Sequence, residues 1–66
     1  MTATAIFIYT DSDVDHEGDE FQVWHVYAGD DDAEPVGKTY TCHSFDKAFN
    51  LGQRMSADRR LELVID

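Results

Sequence analysis

Positive charge is scarce in this chain. Two Lys and three Arg stand against fourteen acids in 66 residues, a formal charge of −9. That imbalance argues against nucleic acid and anionic membrane as direct partners, because phosphates would be repelled. It points instead to a basic protein surface. Cysteine is scarcer still. The single Cys42 excludes an internal disulfide and argues against a small secreted domain, which would carry several cysteines. No apolar run approaches the roughly 18 residues of a membrane span. Met1 to Tyr9 has no positively charged leader region, so an intracellular, cytoplasmic protein is expected. A Gly-rich phosphate loop, a CxxC pair and a basic aromatic platform are all missing, and no cofactor is expected.

The length allows one domain, residues 1–66, and a chain this short buries only about 60% of the surface its unfolded form exposes. A shallow core leaves little room for an internal catalytic pocket. Function is expected on the surface, as binding rather than catalysis. Apolar content of 42%, with Trp24, three Tyr and four Phe, argues for a folded chain rather than an acidic disordered tail.

Ala3 to Thr10 (ATAIFIYT) is rich in β-branched and aromatic residues and reads as a strand apolar on both faces, hence central. Asp11 to Glu20 holds six acids in ten residues and reads as a solvated hairpin loop. Phe21 to Ala28 is a second strand, with Phe21, Val23, His25 and Tyr27 on one face and Gln22, Trp24 and Val26 on the other. Gly29 to Pro35 is a second acidic turn, and Val36 to His43 a third strand. Ser44 offers an N-cap oxygen, Asp46 suits the first turn of a helix dipole, and Phe45, Ala48, Phe49, Leu51, Gly52 and Met55 form one stripe. Gly52 within that stripe predicts a close approach of helix to sheet. Arg59 and Arg60 follow the helix, and Leu61 to Asp66 is the last strand.

The expected architecture is α+β, β-β-β-α-β, a mostly antiparallel four-stranded sheet of order 3-2-1-4 with the helix on one face. A right-handed crossover would lay strand four parallel to strand one. The uncovered face, read as carrying Phe7 or Tyr9 with Trp24 and Val26, is a candidate partner or homodimer interface.

Several constellations are weaker than they look. Asp11, Asp13, Asp15 and Gly18 resemble the start of a calcium loop, but His16 and Gln22 stand where Gly and the bidentate Glu are needed. Cys42 and His43 are strand neighbours pointing to opposite faces, so neither a zinc site with His25 nor a Cys–His nucleophile is expected. No catalytic and no metal residues are assigned. Asp11, Asp46 and Asp66 fall on the elements that carry acids in the ribonuclease H-like fold, which the element order resembles in part, but the rest of that fold is missing. The apolar IFIY strand, an acidic turn and the helix opening SFDKAF resemble in outline the small domain of HicB-type antitoxins, with Lys47 where that family has an acid. That resemblance implies an interaction module paired with a toxin.

Residues 1 to 43 carry ten acids and one base, whereas residues 44 to 66 carry four of each. The acids therefore lie in two patches at opposite ends of the sheet, about 25 Å apart for strands of seven or eight residues. The favoured reading is a DNA-mimic inhibitor, of the size and charge of small phage-encoded inhibitors such as anti-CRISPR proteins, that occupies the basic surface of a nucleic-acid-binding protein. Its contact residues would be Asp13, Asp15, Glu17, Asp19 and Glu20 in one patch, Asp30, Asp31, Asp32 and Glu34 in the other, and Trp24 as an aromatic anchor. The alternatives are the antitoxin-like module and a domain whose charge reflects a salty cytoplasm, since ten of the acids are Asp.

Overall fold

The β-rich start of the chain runs well into the acids before it turns. The computed structural model describes residues 2–65. In it β1 spans Ala5–Val14 and β2 Glu20–Gly29, followed by β3 (Pro35–Cys42), α1 (Phe45–Arg59) and β4 (Glu62–Ile65). The sheet order is β3-β2-β1-β4, with β4 parallel to β1 and the other pairs antiparallel. One helix packs on one face. This is the α+β arrangement expected.

Two strands are longer than their apolar cores, because a hairpin's ends are set by where the turn closes. Both hairpins close with the same device. In the first, Asp15 N–H donates to Asp19 O, Gly18 N–H donates to Asp15 O, and Gly18 takes φ +86°. In the second, Asp30 N–H donates to Glu34 O, Ala33 N–H donates to Asp30 O, and Ala33 takes φ +62°. Each is a three-residue loop, a tight turn followed by a left-handed residue. Only residues 15–19 of the first acidic stretch are therefore a loop. Asp11 and Asp13 belong to β1, and Glu20 begins β2. The molecule is drawn out to 40 Å, farther than the spacing expected from shorter strands.

Ala33 occupies a backbone region that suits glycine, at about 1 kcal/mol for a residue with a Cβ. Replacing Ala33 by Gly is expected to raise stability by up to about 1 kcal/mol, read as a higher urea midpoint. An unchanged or lower midpoint would show that the loop does not hold that conformation.

The core is small: Ile6 and Ile8 of β1, Val26 and Ala28 of β2, and Ala48 of α1, all essentially inaccessible. Leu51, Met55, Leu61 and Leu63 close over it. Ser44 caps α1 through Lys47 N–H, as its sequence position predicts, and Asp46 lies in the first turn. Arg59 is in the last turn rather than beyond it, and Arg60 ends the helix in a left-handed conformation. Gly52 performs the close approach expected of it. A Cβ there would lie 2.8 Å from Ile8 Cδ1 and 3.0 Å from Leu63 Cδ1.

One placement differs from expectation. The β1–β2 register sets Ile6 opposite Ala28, Ile8 opposite Val26 and Thr10 opposite Trp24, and opposed residues share a face. Trp24 and Val26 therefore lie under the helix, where Trp24 packs half-buried against the core and edge-on to Phe45. The uncovered face belongs to Phe7, Tyr9, Phe21, Val23, His25 and Tyr27. Which β2 face is covered depends on the pairing parity, and the hairpin closure decides that parity.

Candidate functional site

The uncovered sheet face is organised around stacked rings. Phe7 and Tyr27 are directly opposed across β1 and β2 and stack with ring centroids 5.4 Å apart. Tyr9 meets Tyr27 edge-on at 5.9 Å and tilts over the His25 ring at 4.9 Å. Gly29 makes the arrangement possible, since a Cβ at that position would sit 2.7 Å from the Phe7 ring. This gives Gly29 a packing role at the end of β2 that its reading as a turn residue did not anticipate. Tyr27 also ties the face to the second hairpin, donating its hydroxyl to Ala33 O at 2.9 Å. Farther along, Phe21 stacks on His43.

A polar row crosses three strands beside the rings. Asp11 Oδ2 lies 3.3 Å from His25 Nε2, and His25 Nδ1 lies 3.1 Å from Thr41 Oγ1. The row's carboxylate is half-exposed and its imidazole largely covered, at 53% and 19% side-chain exposure. An acid, an imidazole and a hydroxyl in line can activate a nucleophile only beside preorganised oxyanion donors. The row lies on a paired sheet, where ladder bonds occupy the amides of β2 on both sides, so its effect is to clamp β1, β2 and β3 in register. Sequence reading missed it because the three residues are 14 and 16 positions apart along the chain and meet only through that register.

Of the ten residues expected to touch a partner, the nine acids separate into three groups. Asp15 and Asp30 hold the hairpins. Asp15 Oδ1 accepts from the amides of Glu17 and Asp19, and Asp30 Oδ1 from those of Asp32 and Glu34. Asp30 is moreover buried, at 9% exposure. Asp13 serves the sheet edge. Beyond Ile8, β4 no longer covers the outer edge of β1, and an unpaired edge invites another strand. The outward amides of Ser12 and Val14 instead donate to Oδ1 of Asp11 and Asp13, each at 2.8 Å. The third group, Glu17, Asp19, Glu20, Asp31, Asp32 and Glu34, is exposed, with carboxylates that hold no amide or base among the described residues. Trp24, the remaining candidate, lies on the helix side.

Charge is sorted by face. On the uncovered face the register places Asp11, Asp13 and Glu62, whereas Glu20, opposite Val14, falls on the helix side, and the hairpin acids lie at the two ends of the sheet. The basic residues lie on the other side. Lys47, Arg54 and Arg59 are on α1, Arg60 ends it, and Lys38 reaches over the Tyr40 ring, which is opposite Val26 on the helix side.

The metal readings find no geometry. Cys42 pairs with Trp24 on the helix side, whereas His25 and His43 belong to the uncovered face. Asp11 and Asp46 lie on opposite sides of the sheet, and Asp66 falls outside the described residues. Among the described residues no group of three or more His, Cys, Asp and Glu converges on a metal-sized space, and no helix is long and apolar enough to cross a membrane.

No protein-family model, curated protein or solved structure matches the chain. The likeness to HicB-type antitoxins therefore has only the element order behind it, and the site's own chemistry must carry the functional argument.

Proposed function

We propose that this chain is a small, non-catalytic protein-binding module that lays its uncovered sheet face and flanking acidic hairpins on a basic protein surface, of the kind that otherwise holds nucleic acid. The observation that carries this reading is the sorting of charge. The uncovered face and both hairpins present acids around an aromatic centre, and the described bases stay on the helix side. An apolar centre with a charged rim is the usual anatomy of a protein-binding patch. Carboxylates around it speed encounter with a basic partner and reject an acidic one.

The same sorting weighs against the alternatives. An acidic coat adapted to salt has no reason to leave one side balanced. A second copy seated on this face, as in an antitoxin-like homodimer, would set Asp11, Asp13 and Glu62 against their own kind at a formal charge of −9 per chain. On this reading the module works in the cytoplasm, alongside the nucleic-acid-binding protein it occupies.

The test is a pull-down of the tagged chain from lysate at low and high salt, beside a variant with Glu17→Gln, Asp19→Asn, Asp31→Asn, Asp32→Asn and Glu34→Gln. These carboxylates hold no backbone amide, so the fold should survive their loss. The expected result is a nucleic-acid-binding protein that is released by salt, gives up its nucleic acid as the chain is added, and associates about tenfold more slowly with the variant. Recovery insensitive to both salt and the five substitutions would overturn the reading.

A further inference from the structure

The apolar centre of the uncovered face is a groove rather than a flat patch. It encloses about 400 Å³ and is lined by Phe7, Ile8, Tyr9, Tyr27, Ala33, Val64 and Ile65. Three of its walls are aromatic, and they are held by one another: Phe7 stacks on Tyr27 and Tyr9 stands edge-on to it. The Tyr27 hydroxyl is turned to Ala33 O, which fixes that ring from its far end. Phe7 and Tyr9 remain partly exposed.

Carboxylates stand at both ends of the groove. At one end are Glu62, opposite Ala5 and one step along the face from Phe7, and Asp31 and Asp32 in the hairpin that contributes Ala33. At the other are Asp11 and Asp13, one and two steps beyond Tyr9 on the same face. Asp11 is shared with His25.

Rings present their negative faces to a cation, and a groove walled by rings and framed by carboxylates is complementary to a flat organic cation. A guanidinium fits it better than an ammonium. It stacks on aromatic planes, is more weakly hydrated, and its donors can reach a carboxylate at one end of the groove while its plane rests on a ring. Resting on the proposed basic partner, we infer that this groove is an arginine-anchoring site: an Arg side chain of the partner lies against the partly exposed rings of Phe7 and Tyr9, over the buried Tyr27, with Tyr9 as the stacking plane. The net charge and the absence of a described Lys or Arg on this face select a cationic occupant over an aliphatic one.

The experiment titrates the full chain with an oligoarginine peptide and with an oligolysine peptide of the same length, at low salt. It is repeated on Tyr9→Leu and Tyr9→Phe, with thermal melts to verify folding. The inference expects oligoarginine to bind about fivefold more tightly than oligolysine, Tyr9→Leu to abolish that preference, and Tyr9→Phe to keep it, because the ring and not the hydroxyl provides the plane. Equal affinity for the two peptides, unaffected by Tyr9→Leu, would overturn the arginine site and leave the acidic docking face standing. Failure of both peptides to bind would overturn both. If Tyr9→Leu fails to fold, the arginine-over-lysine ratio of the unaltered chain and of Tyr9→Phe decides alone.

Discussion

Substituting Gly52 by Val is expected to destabilise the domain by about 2 kcal/mol. A domain of this length has roughly 3–10 kcal/mol to lose. At Gly52 the helix lies so close to the sheet that even a methyl group would sit 2.8 Å from Ile8 Cδ1 and 3.0 Å from Leu63 Cδ1. Ile8 is fully buried between strands and helix, so its end carbon has nowhere to swing. Overpacking of this kind costs about 1–3 kcal/mol, and a branched side chain belongs at the upper end. Glycine's poor helix propensity works the other way, by about 1 kcal/mol. Gly52→Ala should therefore show a small net loss and Gly52→Val a large one. The decisive variant adds Ile8→Val to Gly52→Ala, deleting the carbon that clashes. It should recover stability relative to Gly52→Ala alone, although Ile8→Val by itself costs about 0.5–1.5 kcal/mol. Urea denaturation followed by circular dichroism measures all four. A Gly52→Val variant as stable as the parent would mean that helix and sheet are farther apart than described.

The second large effect is expected at Asp30. Its Oδ1 accepts from the amides of Asp32 and Glu34 at 3.0 and 3.1 Å, and the residue is 9% exposed. Alanine there would leave two part-buried amide bonds without their acceptor, at about 2 kcal/mol. Asp30→Asn keeps an acceptor oxygen and should lose far less. Asp15 makes the matching pair of bonds at 2.9 Å in the first hairpin but is exposed, so water can replace its carboxylate and Asp15→Ala should cost a fraction of the Asp30 effect. Equal losses at the two sites would show that burial does not separate them. The comparison also bears on function, since a binding defect in Asp30→Ala would report a broken hairpin, whereas one in Asp31→Asn or Asp32→Asn would report the surface.

The candidate face was only half legible in the amino-acid order. Parity along β2 assigned Phe21, Val23, His25 and Tyr27 to one face and Trp24 and Val26 to the other. Which of these the helix would cover was not readable, because the answer depends on pairing Ile8 with Val26 rather than with a neighbour. One residue more in the turn would have exchanged the faces. The acids were visible as a mass of charge but not as distinct parts. Nothing local separates Asp30, which closes a turn, from Asp31, which faces water, because the difference is made by the backbone amides that each carboxylate meets. The Asp11–His25–Thr41 row was invisible for a related reason, as each residue lies on a different strand.

What the sequence by itself determined is what short-range physics controls. Apolar alternation and β-branched residues specify the strands, Ser44 starts the helix, Gly52 marks its close contact, and a crossover between parallel strands has one favoured hand, which together lead to the order β3-β2-β1-β4. Tertiary structure alone decided which rings meet water, which carboxylates are spent on the backbone, and that the uncovered face keeps Asp11, Asp13 and Glu62 with no described Lys or Arg beside them. Those outcomes rest on register and burial. Both are properties of pairs of residues far apart in the chain, and they come into being only when the two hairpins close.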